Sequence, residues 1–200
     1  SIHQLLNAVA IQTISNVYPQ LENLLIHTPL DLSKIAGKNH YTHEIGCFIG
    51  IIRSIVSNYK GKPLPELARL YAKEFQAGQG QLKNNENISF LDLKKSIVNQ
   101  FQPHTTQFKG GISLSNIGKV SMSKSLTKPS IVKDVFFSTS LQAGLGIFVL
   151  SIVTINDKLN ISLVYTNPLV SDEFAQAFFD HYINLCQLIS EGRYKVSEHA

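Results

Sequence analysis

The sequence is poor in cysteine and has no long apolar run. Two cysteines in 200 residues are too few for a disulfide framework. Cys47 and Cys186 both lie in apolar stretches, which is typical of small core residues, so we expect a reducing, cytoplasmic compartment. No apolar run reaches the ~18 residues of a membrane span, and no signal-peptide pattern opens the chain. We therefore expect neither a membrane span nor a secretory leader.

Clustered charge of one sign is also missing. The formal net charge is +4 at pH 7 and the pI is about 9.0, but the lysines are dispersed and no arginine-rich run occurs. An excess this small favours a solvated surface. It lacks the basic stripe of a nucleic-acid-binding protein, so we expect no nucleic-acid partner.

The length and composition suit one domain. A chain of 200 residues that is 44% hydrophobic can bury a core of its own, so we treat 1–200 as one unit. The glutamine- and asparagine-rich stretch 78–88 is the best candidate for a mobile linker within it. Because Ser1 has the pattern of a helix cap, we expect the N-terminus to result from truncation or processing.

Helical spacing marks the start, the middle and the end of the chain. Ser1 and Gln4 form a capping box before the first apolar stripe. A second helix is predicted from Pro65, which suits a first turn, to just before Gly78, which suits a helix end. Ser171 has the pattern of an N-cap for a final helix.

Alternating and continuous apolar segments predict strands. In the first half these are "ENLLIHTPLDL", interrupted by Pro29, and "EIGCFIGIIRSIV", either a buried strand with a close backbone approach or a strand with a bulge. In the second half they are "GGISLSN", "SIVKDVFFSTS", "GIFVLSIVTI" and "LNISLVYT", the last two joined by a hairpin turn at Asn156 to Lys158. The sequence thus predicts an α/β fold, an α+β sandwich with a mixed, largely antiparallel sheet and flanking helices.

Three patterns could serve a chemical role, but each is more typical of an ordinary structural role. His40, His43 and Glu44 lie together, yet their order is not that of a helical zinc motif and the segment is loop-like, so we expect no metal. His181 lies beside the apolar stripe of the last helix, where a satisfied histidine is more usual than a general base. The glycines of 144–146 precede a strand and lack the third glycine of a dinucleotide cradle.

The end of the strand "GGISLSN" is more informative. Ser115 and Asn116 place a hydroxyl and an amide where a core residue would serve folding better. Such groups can donate to a developing oxyanion or orient a substrate. With Gly118 they also form an ordinary turn sequence, and the pattern alone leaves both interpretations open.

A polar segment with recurring lysines follows that strand. These side chains suit a phosphate or an acidic carrier protein, although such spacing is more often a solvated loop. The lysines are Lys119, Lys124, Lys128 and Lys133.

Five segments, in order along the chain, resemble the C-terminal half of the condensation-domain and alcohol acyltransferase branch of the chloramphenicol acetyltransferase-like superfamily. They are "SIHQLLNAVAIQTI", "HTPLDLS", "EIGCFIG", "SLSNIGKV" and "LNISLVYTNPLVSDEFAQAFFDHYINLCQLI". In the second, Ser33 stands where the family usually has arginine. The resemblance implies a chloramphenicol acetyltransferase-like half-domain, which in that family faces a second half across a channel that acyl donor and acceptor enter from opposite ends.

The resemblance also implies site residues and partners. Ser115, Asn116, Gly118 and Gly46 would line the substrate channel. Lys119, Lys124 and Lys128 would contact a phosphate or a carrier. The co-substrate would be a thioester of coenzyme A, or of phosphopantetheine on an acyl carrier protein, with no permanently bound cofactor and no metal.

The family's general base is the second histidine of a His-His-x-x-x-Asp-Gly motif in the N-terminal half. That motif is absent here, and the matching strand-to-helix junction is "YTNPLVSDEF". We therefore expect no catalytic residue in this chain and a partner half that supplies the base. The alternative is a non-catalytic binding module that has kept the fold.

Overall fold

The computed structural model describes residues 1–31, 49–84, 111–120, 133–138 and 148–194. Three helices and five strands make up most of this part of the chain. In order they are α1 (Ile2–Val17), β1 (Asn23–Asp31), β2 (Ile49–Ser57), α2 (Leu64–Asn84), β3 (Gly111–Lys119), β4 (Phe148–Ile155), β5 (Lys158–Tyr165) and α3 (Asp172–Ser190).

The five strands form one mixed sheet in the order β2-β1-β3-β4-β5. The β1–β2 and β4–β5 pairs are antiparallel, whereas β1–β3 and β3–β4 are parallel. The predicted mixed sheet with flanking helices is confirmed, but half of its described pairings are parallel, more than expected. The long connections that precede β3 and β4 permit this, because parallel neighbours need a crossover of a dozen or more residues.

Local sequence signals explain where several elements begin and turn. The capping box at the start of α1 is present, with the Ser1 hydroxyl accepting from the Gln4 amide. Asn156 and Asp157 both have positive φ, 49° and 60°, as a tight hairpin between right-twisted strands requires. The Ser171 hydroxyl accepts from the amide of Phe174 and caps α3. These predictions are confirmed.

The described helices pack on one face of the sheet. The side chains of Ile112 and Leu114 on β3 and of Phe148 on β4 belong to the helix-side core. Phe148 stacks on Phe178 of α3 with ring centroids 4.7 Å apart. Because side chains alternate along a strand, the residues between these point to the opposite side, which we call the second face.

Two strand predictions need correction. β1 continues through Pro29 to Asp31. Its ladder with β3 covers only Leu25 to His27, so the amide that Pro29 lacks is not needed there. β2 was expected to be buried, yet it lies at the edge of the described sheet, and Ile49, Arg53 and Ile55 are exposed.

Two further segments differ from the prediction. α2 runs past Gly78 to Asn84, so the first part of the candidate linker 78–88 is helical, and the rest of it lies outside the described residues. Residues 133–138, expected to be part of a strand, have none of its pairing. They lie against β5 through side chains instead: Lys158 pairs with Asp134 at 2.7 Å.

Candidate functional site

Three serines form a row across the second face. Ser115 of β3 lies opposite Ser151 of β4, and Ser151 lies opposite Ser162 of β5. Neighbouring strands are about 4.8 Å apart, so the hydroxyls are spaced at roughly that interval. We call these three residues the serine row.

The three hydroxyls differ in what they contact. Ser162 Oγ donates to the carbonyl oxygen of Phe137 at 2.6 Å. Ser151 is 1% exposed, and its Oγ has no hydrogen-bond partner within the described structure. Ser115 is half-buried. A buried hydroxyl without a partner is unfavourable for folding alone, so Ser151 is the member that most needs a further explanation.

The next row toward the start of β3 carries a buried histidine. His27 of β1 lies between Arg53 of β2 and Ser113 of β3. His27 is only 2% exposed, while Ser113 is half-buried and Arg53 is exposed. The second face is therefore polar across its centre and apolar around it, with Val149 and Val153 buried on β4.

Asn116 and Gly118 shape the end of β3. The Asn116 Oδ1 accepts a hydrogen bond from the Gly118 amide at 2.9 Å, and Gly118 has a φ of +80°. The β3–β4 register shifts between Asn116 and Lys119, which is the mark of a bulge. These two residues therefore form a bulge and not the turn that was expected to close the strand, because β3 continues to Lys119. A channel role for them stays a prediction.

Lys119 already has an acidic neighbour. Its Nζ lies 2.6 Å from Asp157 Oδ1 in the β4–β5 hairpin, and both side chains are exposed. The hydrogen bond from Lys119, together with its charge, lowers the pKa of Asp157. An exposed ion pair of this kind exchanges partners readily because solvent screens it, so a contact of Lys119 with phosphate remains a prediction.

Several predicted residues lie outside the described part of the chain. These are Gly46, Lys124, Lys128, His40, His43, Glu44, Cys47 and the glycines of 144–146. Lys133 is described and exposed. Within the described ranges, no cluster of three potential metal ligands occurs, and no helix combines the length and apolarity needed to cross a membrane.

His181 is a satisfied histidine, as predicted. Its Nε2 lies 2.9 Å from Asn16 Nδ2, which links α3 to α1. Burial lowers the pKa of His181. Cys186 is partly buried against the core, and burial raises the pKa of its thiol to about 11, so it also behaves as predicted.

The junction between β5 and α3 holds an acidic residue, Asp172, that binds two neighbouring side chains. Asp172 Oδ1 accepts from the Tyr165 hydroxyl at 2.8 Å and from Asn167 Nδ2 at 3.1 Å. The hydrogen bond to Asp172 raises the pKa of Tyr165. No histidine occurs from Tyr165 to Phe174.

The sequence alone did not single out Ser151 and Ser162. Their signal was the alternation of each strand, which puts Ser151 among apolar residues of β4 and Ser162 between Ile161 and Leu163 of β5. Alternation assigns a side chain to a face but does not say which strands are neighbours. Only the order β3-β4-β5 brings these two hydroxyls into line with Ser115.

Comparisons with known proteins identify the fold. No family model and no curated protein matches the sequence, but solved structures do. The epimerization domain from the third module of tyrocidine synthetase B has a TM-score of 0.61 at 13% sequence identity, over 96% of this chain and 43% of that one. The starter condensation domain of the rhizomide synthetase RzmA has a TM-score of 0.58 at 13% identity, over 100% of this chain and 44% of that one.

A third match comes from the complex of the X-domain and OxyB from teicoplanin biosynthesis. Its TM-score is 0.59 at 13% identity, over 100% of this chain and 42% of that one. This chain therefore has the fold of one half of a condensation domain, and it spans less than half the length of these structures. The predicted fold, one half of a condensation domain, is confirmed.

Proposed function

We propose that this chain is the C-terminal half of an acyltransferase. In the reaction, an acyl group moves from a thioester, on coenzyme A or on a carrier protein, to a hydroxyl or amine acceptor. The observation that carries the proposal is the serine row, a line of hydroxyls on the second face of a sheet with the condensation-domain half fold.

Hydroxyl groups suit the chemistry of this step. The acceptor attacks the thioester carbonyl, its proton passes to a base, negative charge develops on the carbonyl oxygen, and the thiolate leaves. Donors aimed at that oxygen stabilise the transition state. Ser115 is a half-buried member of the row, and we assign it the contact with the substrate, while the Ser151 hydroxyl lies beside it with unused hydrogen-bonding capacity in the described structure.

The general base belongs, in this proposal, to an N-terminal half. A base with a near-neutral pKa is needed to deprotonate the acceptor. Of the described histidines, His3 and His181 are hydrogen-bonded on the helix side, and His27 is buried. The β5–α3 junction has Asp172 instead of a histidine. We therefore assign the base to a His-His-x-x-x-Asp-Gly motif on a partner half, in the same gene product or a separate chain.

The lysines after β3 fit the polar end of the co-substrate. Lys119 is the last residue of β3, four residues beyond Ser115, which lies at the centre of that strand. A phosphate of coenzyme A or phosphopantetheine would replace Asp157 as its partner, and Lys124 and Lys128 follow in the sequence. An acidic acyl carrier protein would meet the same positive charge.

Native mass spectrometry of the protein from its natural source is the first test. We expect this chain to be joined to, or bound by, a segment of similar size that carries the histidine motif. The proposal is wrong if neither the complete gene product nor any bound partner contains that motif.

An acyl-transfer assay on the complete protein, with acetyl-coenzyme A and a simple alcohol or amine as probes, then tests the site. We expect Ser115→Ala to lower kcat by about 10²-fold, the scale of losing one oxyanion donor. Ser190→Ala, at the far end of α3, is the matched control and should leave kcat unchanged.

A binding module that has kept the fold is the second candidate. One observation favours it: a solved structure with this fold is the complex of an X-domain with OxyB. For such a module, the complete protein would transfer no acyl group from any thioester. Ser115→Ala would then leave partner binding unchanged.

A further inference from the structure

The two outer strands of the described sheet, β2 and β5, differ in the residues that contact them. At β5, residues 133–138 contact side chains of the second face, with Asp134 bound to Lys158 and the Phe137 carbonyl bound to Ser162. At β2, no described segment pairs with the outer edge of the strand. Exposed edges offer unpaired amide and carbonyl groups to another strand, so proteins usually protect them.

β2 has few of the usual protecting features. Its nine residues pair with β1 without a bulge from Asn23–Ser57 to Asp31–Ile49. The strand contains no proline and one charged residue, Arg53. A long, regular edge of this kind is suited to accept an additional strand.

The exposed side chains of β2 are arranged symmetrically. Ile49 and Ile55 are 63% and 61% exposed, and both lie on the second face because they alternate with the buried side chains of Ile52, Ser54 and Val56. Ile49 and Ile55 each lie three residues from Ile52, on opposite sides. An antiparallel partner strand of the same sequence, centred on Ile52, would therefore place Ile49 opposite Ile55 twice.

We propose that two copies of this chain associate through antiparallel pairing of their β2 strands about a twofold axis at Ile52. Such an interface is self-complementary, as twofold symmetry requires. It covers the four exposed isoleucines as two cross-strand pairs and joins two five-stranded sheets into one. The proposal does not rest on the acyltransferase assignment.

The register is specified by charge as well as by the isoleucines. Centring on Ile52 sets Arg53 opposite Ile51 of the second copy. A shift of the centre to Arg53 itself would place two arginines face to face, which is unfavourable across strands. It would also leave Ile49 opposite Ser57 and so separate the isoleucine pairs.

Sedimentation equilibrium of the 200-residue chain over a wide concentration range tests the proposal. We expect a reversible species of twice 22.2 kDa. Ile55→Lys should raise the dissociation constant at least about tenfold, since it removes both isoleucine pairs. Ile2→Lys is the matched control, because Ile2 is 59% exposed but lies on α1, and it should leave the dissociation constant unchanged.

A double variant tests the register. Ile49→Lys together with Ile55→Glu places a lysine opposite a glutamate of the other copy, so it should restore much of the association that Ile55→Lys or Ile49→Lys alone removes. Within one copy these positions are six residues apart and do not pair. A chain that is monomeric throughout, a dimer insensitive to Ile55→Lys, or a double variant as weak as the single ones would each overturn the proposal.

Discussion

Gly78 of α2 lies directly against the side chain of Ile52 on β2. A Cβ atom at Gly78 would collide with Ile52 Cγ2, and Ile52 is buried and branched at Cβ, so it has little freedom to move aside. The glycine therefore lets the helix approach the strand closely. This contact also explains why a glycine, which is unfavourable inside a helix, is found in the interior of α2.

Replacing this glycine should destabilise the fold. In an exposed helix position, glycine to alanine is favourable by up to about 1 kcal/mol, but at Gly78 the collision with Ile52 should outweigh that gain. We expect Gly78→Ala to lower the free energy of unfolding by about 1–3 kcal/mol, the usual cost of overpacking. Urea denaturation followed by circular dichroism measures it.

Gly80 provides the matched control in the same helix. Outside the neighbouring backbone of α2, no atom of the described residues lies within 4 Å of the position that a Cβ would take there. Gly80→Ala should therefore raise the free energy of unfolding by up to about 1 kcal/mol. Equal effects at the two glycines would contradict the close approach of α2 to β2.

The Tyr71 hydroxyl connects three elements of the core. It lies 2.8 Å from Thr28 Oγ1 on β1 and 3.0 Å from His3 Nε2 on α1. Burial raises the pKa of Tyr71 to about 12, so the phenol is neutral and donates one hydrogen bond while it accepts the other. Tyr71→Phe would leave both neighbours without this partner.

We expect Tyr71→Phe to lower the free energy of unfolding by about 1–3 kcal/mol, the cost of leaving buried polar groups unpaired. Tyr194→Phe is the control, since the Tyr194 hydroxyl reaches only Gln12 near the surface and should cost less than about 1 kcal/mol. Chemical denaturation compares the two. A loss at Tyr71 no larger than that at Tyr194 would show that the network contributes little.

His3 should make stability depend on pH. Burial, and then the charge of the N-terminal amino group, lowers the pKa of His3 below 6.5 in the folded chain. The neutral ring can accept from Tyr71 through Nε2. The stabilisation is fully present above pH 6.5 and is lost progressively as pH falls from there through the lowered pKa of the folded chain, because the unfolded chain then binds a proton that the folded chain disfavours.

The check is the slope of unfolding free energy against pH between about 7.5 and 5. The slope should be shallower in His3→Gln than in the unmodified chain. His181, whose pKa is also lowered, is present in both proteins, so the difference isolates His3. Identical slopes would rule out this role.

The fold could be predicted further than the site. Helix caps at Ser1 and Ser171 and the turn at Asn156 depend on neighbouring residues, so the sequence determines them. The end of α2 could not be placed from the sequence. Gly78 suggests a helix end, but it is a glycine because of its close contact with Ile52, a residue 26 positions away. In the same way, the local sequence pattern identifies Ser115 as a candidate site residue, whereas Ser151 and Ser162 become candidates only when the order of the strands is known.

Replacing Ser162 or Ser151 of the serine row with alanine should change the free energy of unfolding in different directions. Ser162 donates to the Phe137 carbonyl, so Ser162→Ala should lower the free energy of unfolding by about 1 kcal/mol, the net value of one hydrogen bond. Ser151 buries an Oγ without a partner in the described structure, so Ser151→Ala should be neutral or raise the free energy of unfolding by up to about 1 kcal/mol.

Residues that serve a substrate often lower the stability of the fold, which is known as the stability–activity trade-off. If Ser151 serves the proposed acyl transfer, Ser151→Ala should reduce kcat in the complete protein while the chain becomes no less stable. Ser162→Ala should show the reverse, with lower stability and nearly unchanged kcat. Thermal unfolding and initial-rate assays on the same preparations provide both readouts. Destabilisation by Ser151→Ala without loss of rate would assign this hydroxyl to packing alone.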